Sequence, residues 1–118
     1  MSTTRRVKGH VHLPPDVTAG TSGEVTVELR DVSELDAPSR LRASVQLPTQ
    51  ALKAGDRLPF ELHAPEADAR RALSLRVQIV GGPSSGAARD AMFLSTQSNP
   101  VASQGDVLDA QAPVSQVS

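Results

Sequence analysis

The sequence contains no cysteine, tryptophan or tyrosine, and its only aromatic residues are Phe60 and Phe93. Without thiols the chain has no disulfide, no thiolate metal site and no cysteine nucleophile. The shortage of rings argues against base-stacking platforms and aromatic cation-binding boxes, because both depend on exposed ring faces. The core is therefore expected to be thin and aliphatic, built from Val, Leu, Ile and Ala.

The sequence also lacks an excess of either charge and any long apolar run. Its 12 basic and 13 acidic residues give a net charge of −1, and no basic stripe predicts a nucleic-acid partner. No apolar stretch approaches the roughly 20 residues that cross a bilayer, so no membrane insertion is expected. The opening segment MSTTRRVKGHVHL does not resemble a signal peptide. A cytoplasmic location is expected for the chain as written, and a periplasmic or outer-membrane-anchored one if a signal peptide and a lipidated cysteine precede it.

Two neighbouring stretches, residues 24–30 and 40–47, alternate apolar and polar side chains. A period of two is that of a β-strand with one buried and one solvent-facing side. The connection between them stops at Pro38, which has no N–H to give to a ladder. The pattern predicts an antiparallel pair whose inward side chains are Val25, Val27, Leu29, Leu41, Ala43, Val45 and Leu47.

The rest of the chain repeats this pattern at nearly regular spacing, with turn-forming segments between the strands. Residues 64–72 are compatible with one helical turn. The spacing predicts an all-β protein, an antiparallel β-sandwich of six to seven short strands. Residues 1–5 are expected to be a disordered arm, 6–114 a single domain and 115–118 a loose tail. The predicted strands cover residues 6–13, 24–30, 40–47, 57–63, 73–80, 91–96 and 107–114.

Two residues interrupt strands and predict local features. Gly9 falls on the inward side of the first strand, which indicates a bulge or a close approach by a neighbouring backbone. Pro59 removes one backbone donor, so its strand is expected at the edge of a sheet or to be bulged.

Three histidines are the weak candidates for a metal site. His10 and His12 share one strand face, and His63 lies beside Glu61 on another strand, so imidazoles and a carboxylate are available as ligands. The alternative is that these are ordinary polar side chains on a solvent-facing side.

No catalytic residue, cofactor-binding residue or cofactor is predicted. The G-x-S-x-G elbow of serine hydrolases is absent. The stretch GGPSSG lacks the Lys-Ser/Thr pair of a phosphate-binding loop and is interpreted as a plain mobile loop. Asp31, Glu34 and Asp36 form an acidic cluster. Their role is interpreted as turn shaping, with weak binding of a hard cation as the alternative.

The run VTVELRDVSELDAPS, residues 25–39, resembles the YbaY-like lipoproteins, which are grouped with the type III secretion lipoprotein chaperones, or pilotins. Weaker similarities occur in the same order elsewhere, and together they cover roughly residues 7–114. They are V-x-G-x-V at 7–11, LPFEL at 58–62, LRVQI at 75–79 and FLST at 93–96 followed by Pro100, Val101 and Gly105. The resemblance implies a small β-sandwich without known catalytic residues. In secretion-linked members it implies a lipid-anchored protein that helps an outer-membrane secretin to assemble.

Three functions remain open at this stage. The leading one is a non-enzymatic protein-binding or assembly-helper module with an unidentified protein partner. Such a partner is expected to add a strand to an exposed sheet edge, either the strand with Pro59 or the N-terminal strand. The second is a small-ligand or metal-binding domain, with or without catalysis, that uses the histidines. The third is a structural protein that associates with itself.

Overall fold

A computed structural model describes residues 4–17, 22–33, 38–81, 90–95 and 99–116. These residues form two β-sheets packed face to face, which confirms the predicted all-β sandwich. Seven strands in this part of the chain have five or more residues, and two are shorter. The strands are β1 (Thr4–His12), β2 (Ser22–Asp31), β3 (Arg40–Ala51), β4 (Arg57–Pro65), β5 (Leu73–Gly81), β6 (Asp90–Leu94), β7 (Pro100–Val101), β8 (Val107–Pro113) and β9 (Ser115–Gln116).

The two sheets differ in size and contain one unexpected pairing. The smaller sheet has the order β4-β1-β8, and the larger has the order β3-β2-β5-β6-β9 with β7 beside β5. The pairing of β1 with β8 is parallel, whereas the other described pairs are antiparallel. A parallel pair needs a long crossover instead of a hairpin, and nearly the whole chain lies between β1 and β8. Alternation in the sequence carries no information on strand direction.

The core lies between the sheets and is aliphatic, as the composition predicts. Leu29, Leu62 and Ile79 are the largest side chains that are fully buried, and Phe60 and Phe93 are also buried. Strands β2, β4 and β5 alternate buried and more exposed residues along their length, because successive side chains of a strand point to opposite faces.

The inward alternation of β3 is broken by a bulge, which corrects one prediction. Leu29 pairs with Ala43 but Arg30 pairs with Leu41, so Arg42 is an extra residue on β3. A one-residue slip moves the side chains beyond it to the other face. Leu41 therefore lies on the outer face and is 51% exposed, so its predicted inward position is wrong.

Gly9 lies where a neighbouring backbone approaches closely, and this prediction is confirmed. A Cβ placed on Gly9 would overlap the carbonyl group of Ala110 on β8. The β1–β8 register also shifts between Val7 and Gly9. The pairing of these strands at this point therefore requires a residue without a side chain.

The edges of the smaller sheet settle two further expectations. β4, the strand with Pro59, lies at an edge, as predicted. β1 lies between β4 and β8, so the expectation that the N-terminal strand is an edge is wrong. Its central position follows from the parallel pairing with β8, which alternation did not reveal.

Both ends of the predicted domain extend further than expected. β1 begins at Thr4, and Arg5 is only 2% exposed, because it shares the inward side of the strand with Val7. Arg5 Nη1 donates hydrogen bonds to the carbonyl oxygens of Ala102 and Gly105. Burial lowers the pKa of the Arg5 guanidinium, and the nearby carboxylates of Glu66 and Asp106 partly oppose this change. At the other end, β9 pairs with β6 instead of forming a loose tail.

The segment between β4 and β5 does not form the helical turn with which its sequence is compatible. β4 continues to Pro65, and the chain then makes a turn in which Asp68 accepts hydrogen bonds from the backbone N–H groups of Arg70 and Arg71. Within the described ranges no helix is long and apolar enough to cross a membrane.

Candidate functional site

An open cleft lies at the end of the sandwich where β2 ends and β3 begins. Its volume is about 350 Å³, which lies within the range of ligand sites. The β4–β5 connection forms another wall. The lining residues are Asp31, Arg40, Arg42, Glu66, Ala67, Asp68 and Arg71.

The bulge in β3 explains why arginines line this cleft. Arg40 pairs with Asp31, which continues the inward side of β2. Directly opposite residues of paired strands share a face, so Arg40 lies on the inner side at the open end of the sandwich. Without the extra residue Arg42, the alternation that directs Ala43 inward would direct Arg40 outward. Bulges commonly re-aim side chains beside functional sites.

Asp31 lines the cleft and links the end of β2 to the β4–β5 connection through hydrogen bonds. Its Oδ1 accepts hydrogen bonds from the Ser33 backbone N–H at 3.0 Å and from the Ser33 hydroxyl at 2.6 Å. Its Oδ2 accepts one from Arg71 Nε at 2.8 Å. The Ser33 oxygen in turn accepts the backbone N–H of Ala72 at 2.7 Å. These contacts bear out the turn-shaping interpretation for Asp31, whereas Glu34 and Asp36 lie outside the described residues.

The hydrogen bonds from Ser33, the side-chain one foremost, and the Arg71 contact lower the pKa of Asp31 against the opposing effect of burial. A lowered pKa means that the folded state prefers the carboxylate. The resulting stabilisation is present above the unfolded-state pKa of about 3.9 and is lost as the pH falls through the lower folded-state pKa.

Replacing Ser33 with alanine should raise the pKa of Asp31 more than replacing Arg71 with glutamine. The hydrogen bond from the Ser33 hydroxyl is the largest single cause of the lowered pKa, whereas glutamine is still able to donate a hydrogen bond to the carboxylate. The pKa values can be read from the carboxyl-carbon chemical shift of Asp31 during an acid titration. We expect the loss of stability in the Ser33→Ala protein to be largest at neutral pH and to shrink below about pH 4. A larger pKa rise in the Arg71→Gln protein would contradict this assignment.

The other acidic side chains of the cleft accept hydrogen bonds from backbone donors. Glu66 Oε1 accepts the Gly105 N–H at 2.8 Å, and Asp68 Oδ1 accepts the Arg70 N–H at 2.9 Å. Arg40 and Arg42, by contrast, make no ion pair or side-chain hydrogen bond with any other residue in the described part of the chain. Among the described residues, the cleft therefore has guanidinium donors without a partner, and their positive charge, on its β3 side.

Two exposed apolar side chains lie on the outer face near the ends of β2 and β3 that border the cleft. Val32 is 40% exposed and Leu41 is 51% exposed. Leu41 is opposite Arg30, and Val32 follows two residues later, where the same face continues. Leu108, the other large apolar side chain exposed among the described residues, lies on β8 in the smaller sheet.

The structure does not gather the three candidate metal-binding histidines. His63 pairs with Arg6, four positions before His10 on β1, which is about 13 Å along a strand. His12 contacts Gln111, and His63 contacts Glu61 at 2.9 Å. No three His, Asp or Glu side chains of the described residues form a group that could hold a metal ion. The metal site stays a prediction, and the GGPSSG loop lies mainly outside the described residues.

Sequence reasoning missed the cleft. Arg40 and Arg42 fit the polar side of an alternating strand, and Arg71 fits a helical turn. The only local signal was the apolar Leu41 between two arginines, which a regular strand explains equally well. Only the register of β3 against β2 reveals the bulge that brings these residues to the end of the sandwich.

The fold and the cleft define a class of protein: an all-β sandwich with an open surface of charged and apolar side chains at one end. Residues 2–111 match the family described as type III secretion system lipoprotein chaperone (YscW). The chain belongs to this family, which confirms the resemblance noted from its sequence.

The fold is similar to that of a solved structure, an alternative pilotin from the type II secretion system of Vibrio cholerae. The TM-score is 0.64 and the sequence identity is 20%, and the match covers 98% of this chain and 100% of the other. At this identity the likeness establishes the fold alone. A comparison with curated proteins finds no match.

Proposed function

We propose that the protein is a non-enzymatic chaperone that binds a protein component of a secretion system and helps it to assemble. The observation that carries this proposal is the family match, which extends over residues 2–111. The fold shared with a pilotin from another secretion system supports it. The component that best fits this role is a channel-forming secretin, as the family resemblance implies.

We also propose that the protein acts at a membrane surface. The family is described as one of lipoprotein chaperones, and this description favours the anchored location over the cytoplasmic one. A lipid anchor would hold the sandwich at the membrane and leave its charged cleft available to a partner.

The alternative of a metal or small-ligand site at the histidines is not favoured. The family is described by a chaperone role, and among the described residues the histidines do not meet in a group of ligands.

Deleting the gene from the source cells should prevent most of the channel component from reaching its assembled, heat-resistant form. Gels of membrane fractions would measure the multimer, and the intact gene should restore it. The tagged protein should also capture the same component from the membrane fraction in a fixed ratio. An unchanged amount of multimer in the deletion strain, with no component captured, would contradict the proposed function.

A further inference from the structure

We propose that the cleft between β3 and the β4–β5 connection binds a segment of the partner protein that combines carboxylates with apolar side chains. This inference rests on the proposed function and adds the binding surface and the chemistry of the partner. The residues that carry it are Arg40 and Arg42 in the cleft and Val32 and Leu41 at its rim.

The two arginines on the β3 side of the cleft define the polar part of the ligand. Arg40 and Arg42 each carry five N–H donors and are paired with no other residue of the described ranges. The acids of the same cleft already accept hydrogen bonds, Asp31 from Ser33 and Arg71, and Glu66 and Asp68 from the backbone. An acceptor with negative charge fits the guanidinium groups of Arg40 and Arg42, and carboxylates form two parallel hydrogen bonds with such groups.

The apolar rim defines the second part of the ligand. Val32 and Leu41 are 40% and 51% exposed and lie on the outer face, with Leu41 between the two arginines in the chain. An apolar side chain next to a bound carboxylate would cover this pair and exclude water from the ion pairs. Such a combination of an apolar contact and a charged one is common in protein interfaces.

The cleft is held in place before a partner binds. The Ser33 oxygen connects Asp31 to the Ala72 backbone N–H, and the backbone N–H of Val32 donates to the Ala72 carbonyl oxygen at 2.8 Å. The β2 end is therefore tied to the start of β5. A surface that is ordered in advance loses less entropy on binding, which favours affinity.

The strand edges are weaker candidates for the same partner. The inward residues of β4 are already buried, so an added strand would cover little further apolar surface there. β3 has register shifts near both of its ends, and bulged edges pair poorly with additional strands. The bulge near Arg42 instead aims side chains into the cleft.

Binding of synthetic peptides tests this inference. The probe is a short fluorescein-labelled peptide in which aspartate alternates with leucine, measured by fluorescence anisotropy at low salt. The Arg40→Glu/Arg42→Glu protein should bind it at least about tenfold more weakly, because attraction becomes repulsion. The Lys53→Glu/Arg57→Glu protein has the same change in net charge, placed in the β3–β4 connection and at the start of β4. It should bind within about twofold of the original.

Two further comparisons separate the polar and apolar contributions. A peptide with asparagine in place of aspartate should bind at least about tenfold more weakly to the unchanged protein. Leu41→Ser should weaken binding severalfold, whereas Leu108→Ser should not, although Leu108 on β8 is even more exposed than Leu41.

Three results would overturn the inference. Equal losses of peptide affinity in the Arg40→Glu/Arg42→Glu and Lys53→Glu/Arg57→Glu proteins would mean that only the net charge of the protein matters. Binding to phosphatidylglycerol vesicles or inorganic phosphate that requires Arg40 and Arg42, without peptide binding, would identify a lipid or phosphate site instead. Concentration-dependent association lost in the Leu41→Ser protein, again without peptide binding, would identify a second copy of the chain as the occupant.

The same variants distinguish this inference from the proposed function. If the Arg40→Glu/Arg42→Glu protein still captures the channel component and restores its multimer, the cleft is not the binding surface and the chaperone function stands. If the unchanged protein binds the acidic peptide but its deletion leaves the multimer intact, the chaperone function fails instead.

Discussion

Replacing Gly9 with alanine should lower the free energy of unfolding by about 3 kcal/mol. The added Cβ would overlap backbone atoms of Ala110 on the adjacent strand β8, and a backbone in a sheet cannot move aside as a flexible side chain can. A shift of β8 that relieved this overlap would break its parallel pairing with β1. Urea unfolding followed by far-ultraviolet circular dichroism would measure the change, since the chain has no tryptophan or tyrosine.

Gly55→Ala provides the matched control for this prediction. Gly55 has a φ of 70°, and a Cβ placed there would meet no atom within 4 Å. Gly55→Ala should therefore lower the free energy of unfolding only by the cost of placing alanine in a left-handed backbone conformation, about 1 kcal/mol. If Gly9→Ala destabilises the protein no more than Gly55→Ala does, the close approach of β8 to β1 is not as described.

Replacing Phe60 with alanine should lower the free energy of unfolding by about 3 to 5 kcal/mol. Phe60 is 4% exposed and stands directly opposite Gly9 on the inward side of the β1–β4 pair. Because Gly9 has no side chain, no neighbour at that position can expand into the space that the ring leaves. We therefore expect the decrease in the free energy of unfolding to lie in the upper part of this range of about 3 to 5 kcal/mol. The midpoint of urea unfolding would measure it.

Leu108→Ala serves as the control for the core substitution. Leu108 is 62% exposed, so the same loss of an apolar side chain should change the free energy of unfolding by less than about 0.5 kcal/mol. The Phe60→Leu protein should retain most of the stability, since leucine fills part of the space. A Phe60→Ala protein as stable as the Leu108→Ala protein would show that Phe60 is not part of the core.

The family, the all-β class and most strand positions could be predicted from the sequence because each depends on local patterns. Alternation over residues 24–30 reports which side of β2 is buried, and the buried Val25, Val27 and Leu29 agree with it. Gly9 and Pro59 were informative because each residue type restricts the backbone by itself.

The candidate site could not be predicted in the same way. Arg40 lies in the cleft only because the extra residue Arg42 changes the register of β3 against β2. Arg71 reaches Asp31, which is 40 positions earlier in the chain, because β2 and β5 are neighbours in the larger sheet. Neither relation leaves a periodic signal in the sequence.

The sequence by itself determined an aliphatic β-sandwich of a secretion chaperone family, since alternation, residue type and family motif are properties of short segments. The tertiary structure alone decided that β1 is central, that Arg5 is buried and that Arg40 and Arg42, which have no partner among the described residues, line a cleft. These features depend on strand order, direction and register. The packing of distant segments sets all three, and local preferences leave them open.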